Sequence, residues 1–529
     1  MKLKHHMLIA AWLLFLSAIA TGCSDWLDYQ PKDKQSEEQI FATKEGFYTT
    51  VNGIYTRMGT NSLYGKDLSY EFVDIIGQRY TVTQTDEDSY SRYLRALTQW
   101  NYSEEGVAST ISSIWQEAYS TIMNINVILS NIEADATGKR VLPTQEYQML
   151  KGEMLAARAM IHFDMLRLFG PVYARNPEGR GIPYNESTET KILPILPAST
   201  VLDNYILRDL KEAEALLKES DPVQTEGPRA EYDDANNDNS MRYRQLRLNY
   251  YAVVLLAARA YLWKADYEHA LAEARKLTDD PRVRNFFPPV DPGKLLGNTV
   301  NPDRMFSSEC LFGLYAKNRN LIYDQTFGGA NTGRNLLIPR KGYLGELFNG
   351  TDNGDYRLQS QWENGTTLDG EASMKLTKFK GSTMASGNST ATDEELLKTR
   401  DFSDSFSSLI KLSEAYYIAA EALGTNGSPV YDATAAFEYL NRMRTWRGIP
   451  EKAGGNITDL ITREYIREYV GEGQVFFYFK RLNKGFDDPY NGCQKFGPLP
   501  PFIVADGASN AEKERRFVVP LPENELNNR

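Results

Sequence analysis

Aromatic side chains are the most abundant candidates for chemistry in this chain. Its 529 residues include 32 Tyr, and one loop-rich stretch, 64–102, has tyrosine or tryptophan at positions 64, 70, 80, 90, 93 and 100 among its aromatic residues. A tyrosine ring packs against the C–H face of a flat ligand while its phenol forms hydrogen bonds. The composition therefore favours non-covalent recognition of a hydroxylated ligand, although rings that fill a core would give the same count.

Catalytic motifs are absent from the sequence. It has no His-Glu-x-x-His, no Gly-x-Ser-x-Gly and no glycine-rich phosphate loop ending in Lys-Ser/Thr. Of its 4 histidines, His162 and His269 lie on predicted helices, where packing or surface exposure is the simpler role. A glycosidase needs two carboxyl groups a few ångströms apart, and chance pairs are common among 70 acidic residues. We therefore predict a protein that is not an enzyme and has no cofactor.

The net charge, the acidic loop and the cysteines indicate which ligands and bonds to expect. A net charge of -11 and the lack of a long basic run in the mature chain argue against nucleic acid. The acidic loop at 222–240 lacks the ligand spacing and central glycine of an EF-hand, so we predict a solvated loop and no metal site. Cys310 and Cys493 are predicted to be two buried thiols, with a disulfide bridge between them as the alternative.

The first residues have the organisation of an export signal. A lysine-bearing start precedes an almost wholly apolar run at 7–20, which is too short to span a bilayer permanently. The small residues before Cys23 resemble a bacterial lipobox, whose cysteine is lipidated, although Ala20 replaces the usual leucine. We therefore predict a lipoprotein signal peptide at 1–22 and an acyl anchor, such as palmitate, on Cys23. The alternative is an ordinary signal peptide with an incidental cysteine.

The residues after this cysteine predict which way the protein faces. Asp25 and Asp28 resemble a surface-export signal of some Gram-negative bacteria. No later segment approaches a run of about 20 apolar residues, so no other segment is predicted to span the bilayer. We therefore predict a protein tethered to the outer membrane by lipid and facing the cell exterior.

Apolar residues spaced along one face of a helix dominate the rest of the chain. A turn at Lys264–Tyr267 separates two predicted helices over 249–280, whose small residues have nearly the spacing of a tetratricopeptide repeat. Such pairs stack into a curved scaffold, because one pair cannot bury its own apolar face. Further helices are predicted over 114–132, 145–169, 201–217, 409–423 and 433–447.

The composition changes between the helical parts. Residues 285–400 are rich in Gly, Asn, Thr and Tyr and have no sustained helical rhythm. We predict a mainly α fold, in which a tetratricopeptide-like helical-repeat scaffold over 36–280 and 405–529 carries a loop-rich, irregular ligand-binding lobe over 285–400. Loops held by a rigid scaffold commonly carry binding function.

A series of motif-like segments lies in order along the mature chain. They are Cys23–Asp28 with Asn52–Tyr55, Glu153–Ala159 with Leu166–Gly170, Ser308–Phe312, Asp355–Arg357, Lys411–Ala415 with Ala420–Ala422, Leu440–Arg444, Glu472–Gly473 and Pro520–Glu525. Together these segments resemble the SusD/RagB family of nutrient-binding outer-membrane lipoproteins. The resemblance implies one SusD-like domain over 23–529. It also implies a protein that binds nutrient, most often oligosaccharide or polysaccharide, and delivers it to a TonB-dependent (SusC-like) outer-membrane transporter.

The charged residues of these motifs are predicted to be structural. They are Arg158, Arg167, Glu414, Glu421 and Glu472. Each lies in a predicted amphipathic helix, where a buried or half-buried ion pair would fix helix packing.

The resemblance also implies where the ligand binds. It places the site on loops of the first aromatic stretch and of the middle region, with the candidates Asp74, Arg79, Tyr80, Trp100, Asn101, Tyr315, Tyr323 and Trp362. After Glu472–Gly473 the sequence departs from the family, with Val475–Phe476 and Tyr478–Phe479 in place of the usual pairs, which leaves the ligand class open. A peptide is the alternative to a glycan. A scaffold that binds a protein partner and a surface glycosidase are two further hypotheses.

Overall fold

The computed structural model describes residues 32–82, 88–229, 239–297, 302–316, 319, 323–328, 337–366, 372–380, 406–488, 490 and 503–528. The chain divides into two units, residues up to Thr49 and residues from Thr50 onward. The predicted signal peptide, Cys23 and Cys493 lie outside the described residues.

Helices make up most of the described chain. The first are α1 Lys32–Ile40, α2 Lys44–Met58, α3 Phe72–Ile76, α4 Ser89–Thr98, α5 Glu105–Thr137 and α6 Thr144–Phe169. The middle ones are α7 Ala198–Val201, α8 Leu207–Ser220, α9 Val223–Glu226, α10 Tyr250–Trp263, α11 Tyr267–Thr278, α12 Pro281–Phe286, α13 Pro292–Leu296, α14 Tyr343–Leu347 and α15 Tyr356–Gln361. The last are α16 Leu412–Gly424, α17 Ala433–Trp446, α18 Ile457–Tyr469, α19 Gln474–Arg481, α20 Asn510–Phe517 and α21 Glu523–Asn527. The predicted mainly α fold is confirmed.

Two helix pairs form the predicted repeat scaffold. Helix α10 packs against α11, α16 packs against α17, and α11 packs against α16, so the two pairs stack. The turn between α10 and α11 contains Ala265 in the left-handed region, at φ 59°. The side chain of Asp266 then caps α11 by accepting a hydrogen bond from the His269 backbone N–H at 3.3 Å. The turn therefore lies where the sequence predicts it.

Helix α6 lies in the interior of the second unit. All of its residues from Gly152 to Phe169 are buried, as expected for a helix surrounded by protein. It packs closely on α8, because a Cβ atom at Gly152 would lie 2.7 Å from Cγ of Leu217. The helix ends at Phe169, before Gly170, as predicted.

Within the described residues, three antiparallel two-stranded sheets lie in or beside the region between the helical parts. Strand β1 (Tyr80–Val82) pairs with β3 (Leu337–Pro339), β2 (Cys310–Tyr315) with β6 (Phe406–Lys411), and β4 (Trp362–Thr366) with β5 (Ala372–Leu376). In the second sheet Tyr315 lies opposite Phe406, and the register shifts between Cys310 and Gly313. The described part of the middle lobe therefore contains paired strands, which its composition did not predict.

Several predicted helix boundaries are wrong. The helix predicted to begin at 409 begins at Leu412, because Leu409–Lys411 complete β6 by pairing with a strand almost 100 residues earlier. The helix predicted over 201–217 is a π-helical turn at Leu202–Ile206 followed by α8. Helices α4, α18 and α19 were not predicted.

Within the described ranges, every helix is too short or too polar to span a membrane.

Buried ion pairs join the C-terminal helices to the strands. Arg447 follows α17, and its guanidinium lies 2.7 Å from Glu309 and 2.7 Å from Glu468 on α18. Arg357 on α15 pairs with Glu464 at 2.6 Å and with Glu468 at 3.2 Å. Each of these side chains is at most 1% exposed. Their charges satisfy one another, so this cluster fixes helix positions and presents no surface to a ligand.

Candidate functional site

A cleft of about 580 Å³ lies between the second half of α2, the turn after it, residues 239–247 and the end of β2. Its volume is in the range that holds small ligands. A second cleft, of about 270 Å³, lies beside Trp115 and Tyr119 on α5. The larger cleft is the candidate site, because it combines aromatic rings with amide and guanidinium groups.

The inner wall of this cleft contains Tyr55 of α2. Its hydroxyl donates to Oε2 of Glu153 at 2.9 Å and accepts from the Leu248 backbone N–H at 3.1 Å. Burial, followed by the charge of Glu153, raises the pKa of Tyr55 well above its usual value. The guanidinium of Arg247 lies over the ring, 4.8 Å from its centroid. The ring is therefore fixed, and it supports a cation at the cleft wall.

A buried arginine holds the neighbouring segment in place. Arg244 is fully buried and bonds both oxygens of Asp221, at 2.9 and 2.8 Å, and Glu153 at 2.6 Å. The amide of Asn249 then bonds the carbonyls of Arg244 at 2.8 Å and Leu311 at 2.6 Å, which ties this segment to β2. Breaking such a set would leave buried charges uncompensated, so the cleft wall has little freedom to move.

Two half-buried rings line the cleft from opposite segments. Tyr243 stands immediately before Arg244 in the left-handed region, at φ 52° and ψ 44°. Tyr315 ends β2 and is one of the residues predicted from the sequence to contact ligand. Both rings are partly exposed, so each can pack against the C–H face of a ligand.

Polar groups complete the lining. Asn52 and Asn61 are exposed amides, and Arg242 and Arg247 bring guanidinium groups. Arg319 is 3% exposed, and its Nη1 donates to the Phe406 carbonyl at 2.5 Å. Arg247 also donates to Oδ1 of Asn52. Amides both donate and accept hydrogen bonds, whereas guanidinium groups only donate. The lining can therefore bind hydroxyl and carbonyl oxygens.

The sequence analysis missed most of these residues. The signal that could have found them is the run at 242–247, in which Arg242, Arg244 and Arg247 surround Tyr243. Their different roles depend on burial: Arg244 is inside the fold, while Arg242 and Arg247 reach the cleft. Spacing alone does not reveal that difference.

Six of the eight predicted site residues are buried. They are at most 4% exposed, namely Asp74, Arg79, Tyr80, Trp100, Tyr323 and Trp362. None of the six offers an exposed face to a ligand in this structure, and ligand contact by them stays a prediction that requires the surrounding segments to open. Asn101 is exposed and its Oδ1 accepts from Ser103 at 2.9 Å, while Tyr315 lines the cleft.

Aromatic contacts bring these buried residues into one cluster. The guanidinium of Arg79 pairs with the carboxylate of Asp488 at 2.9 Å. The ring centroid of Phe486 lies 5.8 Å from the Arg79 guanidinium and 5.4 Å from the ring centroid of Trp100. Tyr343 contacts Arg79 at 6.0 Å. The ring of Trp362 packs against the ring of Tyr343, and their centroids are 6.5 Å apart.

The other half of the cluster surrounds Phe327. The ring of Phe327 contacts Tyr80 at 5.7 Å and Tyr323 at 6.4 Å. Asp74 lies beside Tyr80, accepts from the backbone of Gly471 at 2.9 Å, and has a pKa raised by burial to about 7. Aromatic residues that looked like a ligand platform in the sequence thus pack against one another.

Comparison with known proteins identifies the family. Residues 25–228 match a model described as starch-binding and associating with the outer membrane, and residues 354–529 match the SusD family model. The chain belongs to the SusD/RagB family. The two matches leave 229–353 between them, which is the stretch that supplies Arg242, Tyr243, Arg247 and Tyr315 to the cleft.

Solved structures of the SusD superfamily share this fold. One from Bacteroides vulgatus ATCC 8482 has a TM-score of 0.66 at 21% identity and covers 92% of this chain and 96% of its own. A structure described as a laminarin-binding SusD-like protein has a TM-score of 0.58 at 17% identity and covers 92% of this chain and 97% of its own. At these identities the likeness establishes the fold.

A curated relative matches over part of its length. The SusD-like protein P25 of Formosa agariphila is 20% identical over 348 residues, which are 62% of this chain and 57% of that protein. This SusD-like chain therefore spans a little over half the length of P25.

The charged residues of the SusD-like motifs form ion pairs, as predicted. Arg158 pairs with Asp209 at 2.7 Å, Glu414 with Arg259 at 2.6 Å, and Glu421 with Arg481 at 2.6 Å. The other two motif charges are also paired, Arg167 with Asp164 and Glu472 with Lys378 and Lys411. Glu472 lies in the turn between α18 and α19, and not within a helix as predicted.

The two histidines outside the predicted signal peptide have the structural positions predicted for them. His162 is fully buried, stacks on Tyr184 at 3.8 Å, and accepts from the Asn185 backbone N–H at 3.1 Å. Burial lowers the pKa of His162 to about 3, so the ring stays neutral. His269 is exposed in the first turn of α11.

Proposed function

We propose that this SusD-like protein is an outer-membrane lipoprotein that binds oligosaccharide in the larger cleft and delivers it to a TonB-dependent transporter. The observation that carries the proposal is the pair of half-buried rings, Tyr243 and Tyr315, beside the amides of Asn52 and Asn61. Sugars combine C–H faces with hydroxyl groups, and this lining offers partners for both.

The family supports glycan as the cargo. One matching family model is described as starch-binding, and one structure of the same fold is described as laminarin-binding. The sequence departure that left the ligand class open lies in α19, where Val475 and Phe476 are at most 1% exposed. A change confined to the core gives no reason to prefer a peptide.

The anchor and the transporter complete the proposal. Lipidation of Cys23 would hold the protein on the outer membrane, and Asp25 and Asp28 support display on the cell exterior. Membrane fractionation tests the anchor: a Cys23→Ser variant should leave the outer-membrane fraction. Protease treatment of intact cells tests the orientation, and co-purification of a SusC-like barrel tests the partner.

Calorimetry with purified full-length protein in detergent tests the binding function. Oligosaccharides selected on a glycan array should bind, and Tyr315→Ala should weaken their binding roughly tenfold, because a ring contact of about 1 kcal/mol or more is lost. Tyr431→Ala is the matched control, since Tyr431 is 51% exposed and lies outside the cleft lining. Binding of peptides alone, or an unchanged affinity in Tyr315→Ala, would refute the glycan site.

A further inference from the structure

The backbone of Tyr243 has a conformation that tyrosine seldom adopts. Its φ of 52° and ψ of 44° lie in the left-handed region, where a Cβ atom crowds the following carbonyl oxygen. Strained residues of this kind persist only where the surrounding contacts hold them, and they are concentrated at functional sites. Because Tyr243 lines the larger cleft, the contacts that hold its backbone bear on ligand binding.

Backbone hydrogen bonds hold Tyr243 on both sides. Its N–H donates to the Arg229 carbonyl at 3.1 Å, and its carbonyl accepts from the Leu246 N–H at 2.8 Å. The next N–H along the chain, that of Arg244, donates to the Pro228 carbonyl at 2.8 Å. Both peptide groups that flank the Cα atom of Tyr243 are therefore bonded, which fixes the left-handed turn.

A buried ion pair fixes the residue that follows Tyr243. The guanidinium of Arg244 is fully buried and donates to both oxygens of Asp221, at 2.9 and 2.8 Å. Asp221 is 4% exposed and also accepts from the backbone N–H groups of Val223 at 3.0 Å and Tyr250 at 2.9 Å. Its carboxylate thus joins Arg244 to the first residues of α9 and α10. Arg244 can leave this position only by giving up a buried partner, so the pair restrains the backbone at 243–244.

We propose that Asp221 and Arg244 are positioning residues, which hold Tyr243 in its left-handed conformation so that its ring is in place before the oligosaccharide binds. This inference rests on the proposed glycan-binding function. It assigns no ligand contact to the pair, because Arg244 is fully buried and neither residue lines the cleft. A ring that is fixed in advance loses little freedom on binding, which raises the affinity. The same strain lowers the stability of the fold, as is common where stability and function conflict.

Glycine and alanine at position 243 separate the strain from the ring. Tyr243→Ala and Tyr243→Gly should each lower the affinity for the oligosaccharide that binds best on a glycan array about tenfold, because both remove the ring. Only glycine adopts the left-handed region without strain, so Tyr243→Gly should unfold at a higher urea concentration than Tyr243→Ala. Tyr315 is the matched control position, since it ends strand β2. There the order should reverse, because glycine weakens a strand.

Calorimetry of Asp221→Asn in two backgrounds tests the positioning pair. The variant takes one carboxylate oxygen from Arg244 and keeps the shape of the side chain, so the affinity for the same oligosaccharide should fall about fivefold. In the Tyr243→Ala background it should change that affinity by less than about twofold, because its effect acts through the ring. Asp352→Asn is the control, since it also removes a carboxylate from buried arginines but lies outside the cleft lining. It should leave the affinity within about twofold of that of the parent protein.

The outcomes separate this inference from the function on which it rests. Binding that Tyr315→Ala weakens and Tyr243→Ala leaves unchanged would overturn the role of Tyr243 and keep the glycan function. An Asp221→Asn loss that persists without the Tyr243 ring, or an equal loss in Asp352→Asn, would overturn the positioning role. Unfolding of Tyr243→Gly at a lower urea concentration than Tyr243→Ala would overturn the strain, and this comparison does not require Asp221→Asn to fold. Failure of the parent protein to bind any oligosaccharide would overturn both proposals.

Discussion

The hydroxyl of Tyr55 lies 2.9 Å from the carboxylate of Glu153, across 98 residues of sequence. The same carboxylate accepts from Arg244 at 2.6 Å, so α2, α6 and the segment before α10 meet at one buried group. A single acidic side chain of α6 thus positions the inner wall of the cleft.

Tyr55→Phe should lower the free energy of unfolding by about 1–3 kcal/mol. The variant removes the donor to a buried carboxylate and the acceptor for the Leu248 N–H, and such groups are costly when left without a partner. Denaturant unfolding measures the change. Tyr251→Phe is the matched control, because the buried hydroxyl of Tyr251 has no hydrogen-bond partner among the described residues. Equal effects in both variants would contradict a specific role for the Tyr55 hydroxyl.

The scaffold could be predicted from the sequence because its signal is local. The apolar spacing of α6 and the turn before Asp266 each depend on residues within a few positions, and both lie where predicted. Strand β6 could not be predicted in this way, since it exists through pairing with β2 almost 100 residues earlier. Strong helical spacing after Leu412 extended the predicted helix into it.

The candidate site was harder to predict because exposure is a tertiary property. Trp100 and Tyr315 are both aromatic residues that the sequence analysis placed on loops, yet Trp100 is 3% exposed and Tyr315 lines a cleft. The difference arises from Phe486, which covers Trp100 from nearly 400 positions away. No spacing rule within either segment carries that information.

Asp352→Asn should destabilise the fold by about 3–5 kcal/mol at neutral pH. Asp352 is fully buried and accepts from Arg444 at 2.7 Å and Arg467 at 2.9 Å, so a neutral amide leaves buried guanidinium charge uncompensated. Glu189→Gln is the control and should change stability by less than about 1 kcal/mol, because Glu189 pairs with Lys191 at an exposed site. Urea unfolding at pH 7 measures both variants.

Lowering the pH should reduce the difference in unfolding free energy between Asp352→Asn and the parent protein. Burial would raise the pKa of Asp352, but the Arg444 and Arg467 groups outweigh it and lower that pKa below its usual value. A depressed carboxyl pKa stabilises the fold above the unfolded pKa of about 4, and this contribution is lost as pH falls through the folded value. A difference in unfolding free energy that stays constant between pH 7 and pH 3 would contradict this account.

Lys480 should make stability rise between pH 7 and pH 10. Its ammonium is buried, donates to the carbonyls of Leu168 at 3.1 Å and Gly170 at 2.8 Å, and has a pKa lowered by burial to about 7. In this window the unfolded chain binds the proton and the folded chain does not, so stability increases with pH. Below pH 7 Lys480 is protonated in both the folded and the unfolded chain, so the free-energy cost of burying its charge does not change with pH.

Lys480→Met should remove that rise. The unfolding free energy of the parent protein, measured relative to this variant, should grow by up to about 1.4 kcal/mol per pH unit above pH 7. Lys211→Met, at an exposed position of α8, is the reference for the loss of a surface lysine. A parent-to-variant difference that does not change with pH would show that the folded protein keeps Lys480 protonated throughout.

Trp100→Phe should weaken the fold and leave ligand affinity within about twofold. The indole donates to the Ile76 carbonyl at 3.0 Å and packs on Phe486, so its loss should cost about 1–3 kcal/mol of stability. Tyr315→Ala should weaken ligand binding and leave the stability of the fold nearly unchanged, because a half-buried ring at a cleft edge contributes to binding more than to packing. Measuring both properties on both variants separates the cluster that the sequence indicated from the cleft that the fold builds. A fall in affinity for Trp100→Phe, with stability intact, would instead show that the buried aromatic cluster opens to take the ligand.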